Sequence, residues 1–287
     1  MDAELLDRLV SAWLVGQTPT APGCRRVIAV DGKTVRGARS CGGRAVHLLA
    51  AFDTGSGVVL GQSVVAGKTN EVSAFGPLLD RIDLAGAVVT ADALHTQRAH
   101  CQYLIGRGGH YLLTVKANQP RLLGQLRALP WADVPVADTT TSRGHGRTET
   151  RTIKLAEVAA GIGFPHARIV LQITGKTRRA GRRLHTQTVY AITDLTVRDA
   201  HPAELADALR THWHIENRLH WVRDVSFARR PVPDPDRPRP SRHGDPAQPR
   251  DQPAPPRRRQ QHRRRHPTRQ SSPCPRPTPN HECEMNT

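Results

Sequence analysis

RVIAVDGK at 26–33 and AVVTADALH at 87–95 are the two stretches that decide how this chain is read. Each holds a short apolar run rich in β-branched residues that leads into an aspartate, Asp31 in the first and Asp92 in the second. Runs of that length and composition predict buried strands, and Gly32 is expected to end the first of them. Outward from these, VHLLAAFD (46–53) and GVVLGQSVVA (57–66) predict two more strands, joined through Thr54-Gly55-Ser56 as a tight hairpin. Residues 71–83 set Val72, Phe75, Leu78, Leu79 and Ile82 at helical spacing behind Asn70, a residue suited to capping. Helices expected at 97–107 and 120–129 flank a fifth strand, HYLLTVK at 110–116.

Three hairpin-linked strands followed by alternating helices and strands make an α/β fold: the RNase H-like mixed sheet with flanking helices. Strands expected at 147–155, 168–175 and 187–193 add an inserted β region at about 140–195. A long helix then runs from about Pro202 to Val225. It carries Leu205, Leu209, Trp213, Glu216 and Leu219 at three- and four-residue steps. Residues 1–24 read as a short amphipathic helix and linker, and 25–227 as the main domain.

The chain changes character after Phe227. Residues 228–287 hold 14 Arg, 15 Pro and no Lys, Leu, Ile, Phe, Tyr or Trp. Such a segment buries too little apolar surface to offset its ordering entropy, so it is expected to be a disordered basic tail. Two origins suit its composition: a frameshift in a GC-rich gene near codon 227, or a genuine Arg/Pro-rich arm for nucleic acid. The chain as a whole carries a formal net charge of +17, and the tail supplies only part of it. That balance points to a polyanionic partner, nucleic acid first. No apolar run approaches the roughly 18 residues of a membrane span. The N-terminus lacks the basic region of a secretory signal, so a cytoplasmic location is expected. Cys24, Cys41, Cys101, Cys274 and Cys283 form no C-x-x-C pair and read as reduced thiols.

Phosphodiester chemistry on two divalent metal ions needs a few carboxylates to hold them. In an RNase H-like sheet these sit on the first strand, at the end of the fourth and on a later helix. Asp31, Asp92 and Glu216 occupy those three slots. Each has a blander reading: an aspartate at a strand end is an ordinary turn residue, and Glu216 could pair with Arg218 or Arg223. Lys116, Asn118 and Gln119 follow the fifth strand and suit phosphate contact, or simply a capped helix start with Asn118 as N-cap. Arg147, Glu149 and Arg151 alternate along one strand face. The arginines suit the DNA backbone and Glu149 suits a charge ladder. Lys176, Arg178, Arg179, Arg182 and Arg183 form a basic hairpin tip, solvated or DNA-facing. His95 could assist proton transfer. His212, His214 and His220 surround Glu216, but no H-E-x-x-H motif supports zinc.

The segments VDGKTVRGA (30–38), HLLAAF (47–52), KTNEV (68–72), TADALHTQ (90–97), YLLTVKANQ (111–119), GHGRTETR (144–151) and HWHIENRLHWVRDVSF (212–227) occur here in this order. Over about 25–227 the chain resembles the DDE transposases of bacterial insertion sequences, in their ISAs-type branch. The resemblance implies that Asp31, Asp92 and Glu216 are catalytic ligands of two Mg²⁺ or Mn²⁺ ions. It implies double-stranded DNA as partner, both the terminal inverted repeats of the element and target DNA, and DNA cleavage and strand transfer as the reaction. Lys33, Lys116, Asn118, Arg147, Arg151 and Arg218 are the expected DNA contacts, and two DNA ends suggest a homodimer. The sequence departs from the family in two places. A longer helical domain usually precedes the first strand, and a helical segment usually follows DVSF where the Arg/Pro tail begins here.

Overall fold

The computed structural model describes residues 3–20, 23–39, 45–65, 71–144, 146–159, 161–179 and 182–226. The tail at 228–287, the expected cap Asn70, and Cys41, Cys274 and Cys283 lie outside them.

One nine-stranded sheet organises the described residues, in the order β3-β2-β1-β4-β5-β9-β8-β7-β6. Strands β1 (Val27–Arg39), β2 (Ala45–Asp53) and β3 (Val58–Val65) form an antiparallel meander. Strands β4 (Val88–Ala91) and β5 (His110–Val115) extend it by parallel pairing, β4 against β1 and β5 against β4. Helices α2 (Glu71–Leu79), α3 (Arg98–Gly106) and α4 (Pro120–Arg127) make the connections, as βαβ crossovers require. Helix α1 (Ala3–Gln17) precedes the sheet.

The expected inserted β region has one strand more than the three predicted. Its four strands are β6 (Val136–Gly144), β7 (Arg147–Glu157), β8 (Ile169–Arg179) and β9 (His185–Thr193). It continues the main sheet, because β9 pairs antiparallel with β5 through Leu113 and Ile192. Strand β6 escapes detection because it is an almost wholly exposed edge of Thr and Ser with no apolar alternation. Gly32 does not end β1. The parallel partner β4 stops at Ala91, but β2 goes on pairing with β1 past Gly32 as far as Val35.

Apolar side chains alternate between the two faces of the sheet, and each face is covered by helix. On one side Phe75, Leu78, Leu104 and Leu126 pack on Ile28, Val30, Leu49, Val89 and Leu113. On the other, Leu205 and Ala208 of α5 (Pro202–Thr211) pack on Val88, Leu112 and Leu171. Ile215 fills a small pit of Ala29, Ala50 and Phe52. The result is a three-layer α/β/α domain. The expected helix from 202 to 225 is interrupted: a π-helical segment, Ile215–His220, lies between α5 and α6 (Trp221–Ser226). Among the described residues no helix is long and apolar enough to cross a membrane. Cys24 and Cys101 are free thiols, and burial pushes the Cys101 thiol far up.

Candidate active site

Parallel pairing sets the first two carboxylates. The β1–β4 register runs Val27↔Val88 to Val30↔Ala91, so Asp31 and Asp92 are the next residue on each of two neighbouring strands. Adjacent strands lie about 4.8 Å apart. Val30 and Ala91 point into the core beneath α2, and strict alternation turns Asp31 to the opposite face. On that face lies the C-terminal helical segment. Asp92 divides its work: one carboxylate oxygen accepts the Leu94 N–H at 2.9 Å, capping the short 3₁₀ turn Ala93–His95.

Three contacts dock the C-terminal segment over these aspartates. His212 Nδ1 lies 3.0 Å from Thr90 Oγ1 on β4. Ile215 is fully buried. His220 Nε2 lies 3.3 Å from Asp31 Oδ2, although neither ring nitrogen of His220 makes a hydrogen bond of good geometry. Further along, Arg223 donates to Gln62 Oε1 at 2.5 Å. Glu216 therefore has no ion pair with Arg218 or Arg223 among the described residues. Its carboxyl is held above the ordinary value, first by partial burial and then by the negative charge of Asp31, against the pull of His220, Lys116 and Lys33. His212 is held down, chiefly by burial, although Asp31 and Asp92 both act to raise it. The charges of Asp31, Lys33 and Lys116 thus act on Glu216, and those of Asp31 and Asp92 on His212.

The donors suit a hard divalent cation. They are carboxylate oxygens, they repel one another without it, and Mg²⁺ keeps several waters rather than demanding an all-protein cage. Among the described residues, no three His, Cys, Asp or Glu side chains are gathered closely enough to enclose an ion by themselves.

The other sequence candidates divide. Lys116 is exposed at the end of β5, and Lys33 shares the face of Asp31. Asn118 plays a structural part, because its side-chain N–H donates to the Ala93 carbonyl and ties the β5–α4 loop to the Asp92 loop. Nor is it the N-cap of α4, a position held by Gln119, whose amide donates to the Thr96 carbonyl at 2.9 Å. Arg147 and Arg151 lie on β7, far along the sheet from β1. Arg151 is paired with Glu149 at 2.7 Å. Arg147 lines a concavity of about 660 Å³ together with Arg143, Arg178, Arg179 and Arg182, so the basic hairpin tips converge. Arg218 is exposed and leans over Gly57 in the β2–β3 turn. His95 is completely buried, so it cannot touch a phosphate or shuttle protons from solvent. His212, His214 and His220 go to different partners, with His214 influenced by Arg218 and the Thr54 backbone.

Sequence reasoning missed a buried cluster on the other face of β1. Glu71, 3 % exposed, accepts from His47 Nε2 at 2.6 Å and lies 3.6 Å from His95 Nε2. His47 in turn bonds Thr34 Oγ1 through Nδ1 at 2.8 Å. Burial pushes the Glu71 carboxyl up, but the imidazoles of His95 and His47 outweigh it and leave it below the ordinary value. The available signal was an acid at the first position of an otherwise largely apolar helix.

Residues 22–237 match the family model described as the transposase DDE domain. The Escherichia coli K12 protein YbfL is 31% identical over 216 residues, covering 69% of this chain and 56% of its own length. YncI of Escherichia coli O157:H7, whose name carries the word transposase, is 32% identical over 220 residues, 70% of this chain and 54% of its own. The chain thus spans a little over half the length of these curated relatives. A solved piggyBac transposase synaptic complex with hairpin DNA overlays with a TM-score of 0.38 at 12% identity, covering 70% of this chain and 40% of that one, and a likeness that slight carries no weight. The family match and the identity to these relatives agree that the chain belongs to the transposase DDE domain family.

Proposed function

We propose that this chain is a DNA strand-transfer enzyme of an insertion sequence, with Asp31, Asp92 and Glu216 as its catalytic carboxylates. The observation that carries the proposal is the β1–β4 register, which sets Asp31 and Asp92 side by side beneath the segment that bears Glu216. Two Mg²⁺ or Mn²⁺ ions held there would activate the attacking oxygen and stabilise the leaving one. The residues of the chain do the rest. Asp31 and Asp92 face the scissile phosphate from the sheet, and Glu216 closes the site from the helix. Lys33 and Lys116 offset the negative charge that three carboxylates and a phosphate bring together. Water attacks first, and the freed 3′-hydroxyl then attacks target DNA in line. Arg147 and Arg218 contact duplex DNA away from the reacting phosphate, and two element ends are held by a homodimer in the cytoplasm.

The test is nicking of supercoiled plasmid with Mn²⁺ or Mg²⁺, beside Asp92→Asn. Metal-dependent nicking lost in that variant is the expected result. DNA binding without nicking would identify a DNA-binding chain that lacks catalysis. For the basic wing, Arg147→Ala should weaken DNA binding uniformly and flatten its salt dependence by about one counterion. An unchanged slope would remove Arg147 from the interface.

A further inference from the structure

We infer that Glu71 is a positioning residue that sets the separation of Asp31 and Asp92 from the far side of the sheet. The inference rests on the reading above, that these aspartates hold the metal ions. Asp31 points to one face of β1 and Gly32 to the other. The Glu71 carboxylate lies directly against Gly32: a Cβ added there would come within 2.4 Å of it. The same carboxylate reaches His47 on β2 at 2.6 Å and His95, three residues beyond Asp92, at 3.6 Å. One buried group thus touches the backbone next to the first catalytic aspartate and the loop that carries the second.

The packing around this clamp leaves it little freedom. Phe75, one helical turn beyond Glu71 on α2, stacks on the rings of His95 and His100 with centroids 5.1 and 4.1 Å away. His100 lies against the same loop, with Nδ1 3.1 Å from the His95 carbonyl and Nε2 3.0 Å from the Val72 carbonyl, one of which accepts its ring N–H. His95 is 0 % exposed, and neither of its ring nitrogens makes a hydrogen bond among the described residues. Its Nε2 lies 3.6 Å from Glu71 Oε2. A change at Glu71 is then passed by this packed ring to the 92–95 loop. Groups behind metal ligands commonly change metal affinity or activity about 10–100-fold when altered.

The experiment measures Mn²⁺ binding by loss of the free-ion paramagnetic resonance signal, together with nicking rate, DNA affinity and melting. It compares the full chain with Glu71→Gln, His95→Gln and Asp92→Asn. Glu71→Gln should weaken Mn²⁺ binding and slow nicking by roughly tenfold, at unchanged DNA affinity. His95→Gln keeps the Glu71–His47 pair and removes the link to the Asp92 loop together with the ring stacking on Phe75. It should reproduce the Mn²⁺ effect, and it decides the matter if Glu71→Gln does not fold. Folded variants that bind Mn²⁺ and nick like the parent would reduce Glu71 to a core residue and overturn the inference. If Asp92→Asn also leaves Mn²⁺ binding unchanged, the carboxylate assignment itself fails, an outcome separate from failure of the clamp.

Discussion

Replacing Gly32 with alanine adds one methyl group at the point where the fold has no room for it. Carboxyl atoms of Glu71 would lie 2.4–2.5 Å from the new Cβ, and that carboxylate cannot swing into solvent because it is 3 % exposed. To make space it must give up the 2.6 Å contact with His47. Losing a buried hydrogen bond to a charged group costs about 1.5–3 kcal/mol, and overpacking alone about 1–3 kcal/mol. Taking about 1.5–3 kcal/mol, a domain of this size should melt roughly 3–12 °C lower. Gly61→Ala is the control: its added Cβ meets Leu78 at 3.5 Å and Ile82 at 3.9 Å, ordinary contact distances. The assay is thermal melting by circular dichroism at neutral pH of the parent, Gly32→Ala, Gly61→Ala, Glu71→Ala and the Gly32→Ala/Glu71→Ala double variant. With the carboxylate gone the methyl group has space, so the two losses should be strongly non-additive. Gly32→Ala melting within about 2 °C of the parent, or adding fully to Glu71→Ala, would refute the packing of Glu71 on Gly32.

The raised Glu216 carboxyl makes its ionised form unfavourable in the folded, metal-free chain, so Glu216→Gln should raise the melting temperature. The gain should be full above the folded-state value of that carboxyl and vanish as pH falls below the ordinary one. For so exposed a side chain it should be about half a kcal/mol or less, and a lower melting temperature at neutral pH would contradict the charge crowding. Asn118→Ala removes a tie to the Ala93 carbonyl rather than a DNA contact. It should cost about 1 kcal/mol in denaturant unfolding and leave DNA affinity unchanged in a filter-binding titration; the reverse pattern would restore Asn118 to the interface.

Periodicity made the centre of the fold legible because its strands are buried on both faces. The run Val27–Val30 is continuously apolar and Val88–Ala91 is broken only by Thr90, and helices α2, α3 and α4 carry their apolar faces at clear spacing. Strand β6 was illegible for the opposite reason: a polar edge strand takes its stability from its neighbour, with Thr141 opposite Thr150, and not from burial. The π segment was equally hidden, since apolar steps of three and four residues suit a helix with or without one inserted residue. Asp31, Asp92 and Glu216 could be named because carboxylates on an apolar background are conspicuous. Glu71, His47 and His95 could not, because a buried ionic cluster is assembled from β2, α2 and the loop after β4, which meet only in the folded chain. His95 was visible as a residue and misjudged as accessible, since only packing tells which side of the sheet it faces.

The two faces of β1 divide the electrostatic work. On the upper face, Asp31 lies 3.3 Å from His220, and its negative charge acts on Glu216. On the lower face, one residue further along, Glu71 is sealed in and held ionised by two imidazoles. A strand is stiff along its length but its side chains alternate, so a force applied at Gly32 from below is felt at Asp31 above without any group entering the site. That geometry gives a reason for glycine at position 32 that does not involve a turn: the backbone there is extended and internal to β1. Any larger residue would displace the group that fixes the strand. Rigidity in this site therefore comes from beneath the sheet, while the upper surface is left to the carboxylates, the lysines and the DNA they are proposed to act upon.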